Sequence, residues 1–200
     1  MIKVNTMSAA IKFNREDVSE KAKNLYWEKG YHATSMRNLQ DVINMHPGSI
    51  YAAFGSKDKL FIESLNRYAA DDAKRLADCI EQQDTVLAGL KHFIHTVIVV
   101  NKATTPSGMC MIVKTIAELT QNDSPELLAH ATEILEGIEA SFATLFAQAI
   151  DSGEVSAEKN PIELARYLQI QIIGLRTYAQ ITSDDAAVEK YIDDIFKNIV

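Results

Sequence analysis

Between Thr34 and Lys57 this 200-residue chain gathers eight positions suited to holding a polyanion. They are the hydroxyls of Thr34, Ser35, Ser49 and Tyr51, the cations Arg37 and Lys57, the imidazole of His46, and the bare backbone of Gly48. Hydroxyls and cations of this kind donate to phosphate oxygens, and arginine also reaches base edges. A competing chemistry, nucleophilic or metal-assisted catalysis, has no motif here. The chain has no Gly-rich phosphate loop, no HExxH, no GxSxG and no carboxylates that can be paired from sequence. No catalytic residue, metal ligand or cofactor is therefore assigned.

Three short elements must position these groups. The spacing predicts a helix over Ser35 to Val42, with Met36, Leu39 and Ile43 facing inward and Arg37 and Asn38 outward. Thr34 and Ser35 read as its N-cap; a helix N-terminus with free amides also suits a phosphate. The connection Ile43-Asn44-Met45 is short, and asparagine tolerates the left-handed backbone that such a turn needs. A second helix is predicted over Pro47 to Phe54, opened by proline, with Ile50 and Phe54 inward. Its outer face (Gly48, Ser49, Ala52, Ala53) is small and polar. Ser56 then caps a longer helix with Asp58 in its first turn. A short helix, a tight turn and a second helix with nothing bulky outside form a helix-turn-helix, whose second helix enters the major groove. In that setting Arg37 faces base edges or phosphate, and His46 and Ser49 are groove contacts. Lys57 is a point charge for phosphate. The plainer alternatives are a solvated Arg37 and pure capping by Thr34 and Ser35.

The run Thr34-Ser35, then Gly48-Ser49-Ile50-Tyr51 with Phe54, then Ser56-Lys57 with Leu60-Phe61, resembles the DNA-binding segment of the tetracycline-repressor (TetR/AcrR) family. The likeness extends upstream through Lys29-Gly30-Tyr31 and covers roughly residues 14 to 62. It departs in the turn, where the family has Ala-Gly-Val. The resemblance implies an all-α protein with a DNA-binding domain over residues 1–60 and a ligand-binding and dimerisation domain over residues 61–200. It implies a regulator, a repressor released from double-stranded operator DNA by a small-molecule inducer and working as a homodimer. It also favours phosphate over packing for the Tyr51 hydroxyl.

Charge distribution agrees. The chain carries a net −7, yet residues 1–60 hold nine Lys/Arg against six Asp/Glu, and the remainder eleven against twenty-one. Positive charge therefore sits with the helix-turn-helix, as phosphate attraction requires. Two cysteines are too few for a disulfide scaffold and suit a reducing, cytoplasmic setting. No run reaches the ~18 apolar residues of a membrane span, and the start, MIKVNTMSAAIKFN, reads as no signal peptide.

The whole chain reads as nine helices with no strand-like alternation. The first is Asn14 to Lys29, stopped by Gly30; after the motif come Ser56 to about Gln82, Thr85 to Asn101 and Met109 to Leu119, with a loop over Lys102 to Gly108. A seventh starts at Ser124-Pro125 and carries Leu127, Ala131, Ile134, Ile138, Phe142, Leu145 and Ala149 on one face, ending at Gly153. Asn160-Pro161 opens an eighth to about Thr182, and Ser183 caps a ninth. The eighth is apolar nearly all round and asks for cover on several sides, either within its own subunit or from a second one. The dimer reading places Leu168, Ile172, Ile173, Leu175, Ile192, Ile195 and Phe196 at the interface. Apolar faces with occasional polar tips nominate Phe93, Val97, Cys110, Met111, Thr115, Phe142, Gln171 and Tyr178 for a ligand pocket. Cys110 opens the sixth helix, where a thiol of lowered pKa serves as an electrophile or oxidant sensor, or else is a small packing residue. Trp27 reads as core. His92, His95 and His130 lack metal spacing. The alternative function is a helical small-molecule-binding or catalytic protein whose helix-turn-helix is only structural.

Overall fold

The computed structural model describes residues 14–200. The reading of no signal peptide, and the first thirteen residues of the N-terminal domain, lie outside them. Among the described residues there are nine α-helices, one 3-10 turn and no strand. They are α1 (Arg15–Lys29), α2 (Met36–Ile43), α3 (Pro47–Phe54), α4 (Lys57–Glu81), α5 (Val86–Ile98), α6 (Met111–Glu118), α7 (Pro125–Asp151), α8 (Pro161–Ile181) and α9 (Asp185–Ile199), with the 3-10 turn at Val100–Ala103. None is long and apolar enough to cross a membrane.

Side-chain caps set most of the starts. Asn14 accepts from the amides of Glu16 and Asp17, Ser56 from Lys59, Thr85 from Ala88, and Asn160 from Ile162 and Glu163. A second cap for α5 comes from a distance: the Glu154 carboxylate accepts the amides of Val86 at 3.0 Å and Leu87 at 2.8 Å. Three boundaries differ from the sequence reading. Helix α5 stops at Ile98, and a 3-10 turn takes the next residues. Helix α6 begins at Met111, with Cys110 at its N-cap. Helix α9 is capped by Asp184, whose carboxylate holds the Ala187 amide, and not by Ser183. A carboxylate at an N-terminus also meets the helix dipole, which a hydroxyl does not.

Two cores form. The first gathers Val18, Ala22, Tyr26 and Trp27 of α1, Leu39 and Ile43 of α2, Ile50 and Phe54 of α3, Leu60, Phe61, Leu65 and Tyr68 of α4, Met111 and Ile112 of α6, and Leu127 and Ala131 of α7. The second is built from α5, α8, α9, the C-terminal half of α7 and Cys79 of α4. Helices α4 and α7 therefore run through both cores. The periodic stripe on α7 explains how, since Leu127 and Ala131 serve the first core and Phe142 and Ala149 the second. Helix α7 packs most extensively on α8, and α1 on α4.

Candidate nucleic-acid interface and internal cavity

The helix-turn-helix is held from both ends. Ser35 Oγ accepts the Asn38 amide at 3.1 Å, and Asn38 Oδ1 accepts the Ser35 amide at 3.0 Å. This is a capping box closed by asparagine in place of glutamate. At the turn, Asn44 adopts φ 58°, ψ 44° and donates its amide to Gln40 O at 2.8 Å. Pro47 takes the first helical position of α3, and His46 precedes it with an extended backbone and no side-chain cap, so its imidazole stays exposed. Leu39, Ile43, Ile50 and Phe54 bury the inner faces of α2 and α3.

The outer face of α3 is open. Gly48, Ser49 and Ala52 are exposed, and no atom lies within 4 Å of where a Gly48 Cβ would sit. Tyr51 is 47% exposed at its edge. Arg37 is exposed on α2, with no hydrogen bond or ion pair to another described residue. Ser35, Arg37, His46, Gly48, Ser49 and Tyr51 thus present themselves to solvent from one short motif.

Two of the expected contacts are committed inward. Thr34 is 0% exposed and its hydroxyl donates to Gly30 O at 2.6 Å, so its side chain locks the turn before α2. Lys57 is half-buried, donates to Tyr31 O at 2.7 Å and lies 4.0 Å over the Tyr31 ring. Burial lowers its pKa, against the pull of Asp58 and Glu118. A phosphate meets Lys57 only through the donors left over.

Sequence reasoning did not single out Arg15. Its Nη1 donates to Ala53 O at 3.1 Å, its Nη2 pairs with Glu63 at 2.5 Å, and its guanidinium sits 4.6 Å over the Phe54 ring. Arg15 thereby fastens the C-terminal end of α3 to α1 and α4. Nothing local in the sequence marks a first-turn arginine for this, because its partners lie 38 and 48 residues away.

Helix α6 grips the back of this domain. Glu118 accepts the amides of Tyr31 at 2.9 Å and His32 at 2.7 Å. Lys114 Nζ donates to the carbonyls of Trp27 at 3.0 Å and Glu28 at 2.7 Å, satisfying the end of α1. Trp27 Nε1 donates to Met109 O at 2.7 Å, so this core residue also ties α1 to the approach of α6. Gly30 has φ 87°, and a Cβ there would stand 2.5 Å from Glu118 Oε2, so only glycine fits.

The N-terminal end of α6 borders a cavity of about 100 Å³ lined by α4, α5, α6, α7 and α8. Phe93, Val97, Cys110 and Phe142, four of the residues nominated above, line it. Met111 and Thr115 do not. Both are buried on the other side of α6, where Thr115 donates to Met111 O at 2.9 Å. Gln171 and Tyr178 instead line an open groove between α8 and α9. The cavity also holds Asp72, Gln169 and Arg176, which an apolar-face search passes over.

The proposed dimer residues divide likewise. Leu168, Leu175, Ile192, Ile195 and Phe196 are buried in the chain's own core, and Ile172 and Ile173 line the cavity. The apolar side chains that α8 and α9 leave outside are Ile162, Ile170, Tyr178, Ile181 and Tyr191. A helix expected to need cover on several sides thus finds much of that cover within its own chain.

Two family models match the chain. The one described as bacterial regulatory proteins, tetR family, matches residues 19–63, and the tetracyclin repressor-like C-terminal domain matches residues 86–195. The chain belongs to the tetR family. Among curated relatives, the HTH-type transcriptional regulator YezE of Bacillus subtilis is 24% identical over 182 residues, 90% of this chain and 93% of that one. The HTH-type transcriptional repressor BdcR of Escherichia coli is 39% identical over 75 residues, 38% of each chain. Among solved structures, a cysteine mutant of the tetR-family regulator CifR bound to 26-bp double-strand operator DNA superposes with a TM-score of 0.84, at 20% identity over 94% of this chain and 97% of that one. The fold is thus that of the family throughout, and this tetR-family chain is a DNA-binding transcriptional regulator.

Proposed function

We propose that this protein is a homodimeric repressor that holds operator DNA through α2 and α3 and releases it when a small molecule fills the cavity among α4 to α8. The observation that carries the DNA side of the reading is the bare outer face of α3, anchored by its buried inner face and flanked by the unengaged Arg37. Supporting it, BdcR is named a repressor and the CifR structure holds operator DNA. On the ligand side, Cys110 at one end of α6 lines the cavity while Glu118 at the other end caps the turn before α2. One eight-residue helix thus runs from the cavity to the loop that precedes α2. A ligand that prefers a shifted α6 weakens DNA binding, and by linkage DNA weakens ligand binding equally.

Dimerisation rests on the face that α8 and α9 leave open. Ile170, Ile181 and Tyr191 are exposed beside a groove that includes Gly174, whose missing side chain admits a close neighbour. Two-fold pairing there would set the spacing of two α3 helices on successive major grooves.

The test is selection of binding sites from random duplex DNA, followed by a salt titration of the selected site. The expected result is a two-fold symmetric site whose affinity falls steeply with salt. Recovery of no enriched sequence, or binding indifferent to salt, would overturn the reading.

A further inference from the structure

The cavity contains two polar groups whose hydrogen-bonding capacity the protein leaves unused, both on α8. Gln169 Oε1 is buried without a hydrogen-bond partner, and Gln169 lines the cavity. Two helical turns further along, about 10 Å up the same face, Arg176 lines it as well. Arg176 is only 7% exposed. Its Nε donates to Gly108 O at 3.3 Å and its Nη1 to the Tyr68 hydroxyl at 3.2 Å. Its Nη2 makes no hydrogen bond among the described residues, and no carboxylate there forms an ion pair with it. Asp72, the acid on the cavity wall, is paired with Arg75. Burial pushes the Tyr68 hydroxyl well above its ordinary pKa, so Tyr68 supplies no countercharge. Against the cost of burial, Asp72 acts on Arg176 only through space, raising its pKa without a bond. A buried cation with no directly bonded anion is costly, as is a buried acceptor without a donor. Between the two groups the wall is apolar, including Leu76, Phe93, Val97, Ile138 and Phe142.

We propose that the cavity binds a small carboxylate with an apolar body, its carboxylate on Arg176 and a hydrogen-bond donor at its far end on Gln169. This rests on the reading of the cavity as the effector site and names the chemistry of the effector. The planar guanidinium suits a carboxylate, and the apolar wall suits a short chain. Size links binding to release. At about 100 Å³ the cavity is smaller than the ~150 Å³ void that admits benzene. A ligand of more than a few heavy atoms presses on the walls, among them Cys110 and Val113 on the α6 side. An α6 that moves carries Lys114 and Glu118 away from the end of α1.

Trp27 is the sole tryptophan and packs edge-on against Tyr68 at 5.0 Å, one hydrogen bond from Arg176. Its fluorescence, with the melting temperature, reads the site in the full-length protein without DNA. The probes are hexanoate, ω-hydroxyhexanoate and hexanol. Hexanoate is expected to bind at least roughly tenfold more tightly than hexanol, and the terminal hydroxyl to add several-fold more. Arg176→Met erases the preference for carboxylate over alcohol. Arg176→Lys, which keeps the charge should the methionine variant fail to fold, retains part of it. Gln169→Leu erases only the gain from the terminal hydroxyl. Equal binding of hexanol and hexanoate by the wild type, an Arg176→Met protein that still prefers the carboxylate, or no response to any probe at millimolar concentration overturns the proposal. The same probes added to the protein–DNA complex separate the two readings. Carboxylate binding without DNA release sinks the effector reading and leaves the ligand class standing. Failure to bind sinks the ligand class and leaves DNA binding untouched.

Discussion

Arg37 and Glu63 show how differently two charged residues around the N-terminal core are employed. Arg37 is exposed on α2 and bonded to nothing else in the described structure, so its charge is available to DNA. Replacing it with alanine removes that contact without touching the core. The expected loss of operator affinity is about 1–3 kcal/mol, with unchanged circular dichroism; unaltered binding measured by fluorescence anisotropy would show that Arg37 is only solvated. Glu63 is spent on the fold. Burial alone would raise its pKa, but bonds from Arg15 and Ser19 outweigh this and hold it below its ordinary value of 4.5. A carboxyl with a depressed folded pKa contributes stability that is complete above its unfolded pKa and is lost as pH falls through the folded one. The melting temperature should therefore drop on acidification below about pH 4.5. Glu63→Gln should melt lower at neutral pH but decline less steeply in acid, and parallel declines would assign the acid sensitivity to other groups.

Among the elements, α6 carries the most connections for its length. Its first residues border the cavity, its buried face joins the N-terminal core, and Lys114 and Glu118 close the end of α1. Glu118→Ala leaves the amides of Tyr31 and His32 without their acceptor, and the loss of a charged partner from a part-buried amide costs about 1–3 kcal/mol. Urea unfolding should show that loss. If α6 also transmits the ligand signal, the same variant should bind operator more weakly and respond less to ligand. A variant that keeps full stability and full response would remove α6 from the coupling. Helix α4 also links the two halves, because it contributes side chains to both cores.

At the scale of the whole molecule, the arrangement of α8 and α9 decides how two copies could meet. Charge placed at Ile195 would enter the chain's own core and unfold it, and charge at Ile173 would enter the cavity, so neither variant tests association cleanly. Ile181, 81% exposed, and Tyr191, half exposed, offer the cleaner test. The double variant Ile181→Glu, Tyr191→Glu should fold normally, sediment as a monomer and lose most operator affinity, since a monomer holds one half-site. A stable dimer in sedimentation would place the interface on another face.

Legibility followed the range of the interactions. The sequence alone determined the motif, because its signals act within a few residues: Ser35 as cap, Asn44 in the left-handed turn, Pro47 at the first position, Ile50 and Phe54 inward. The same holds for the periodic stripe of α7, and all nine helices were legible with boundaries off by a few residues. Tertiary structure decided the rest. Thr34 turned inward because Gly30 O lies four residues before it, across a turn closed by Glu118. Gln171 and Tyr178 fell outside the cavity and Gln169 and Arg176 inside it, a difference of rotation about one helix axis. On a helix apolar nearly all round, periodicity contains no information about which stripe meets which neighbour. That choice is made by residues far along the chain: Tyr68 and Gly108, 108 and 68 positions from Arg176, whose bonds hold a buried charge where the cavity is.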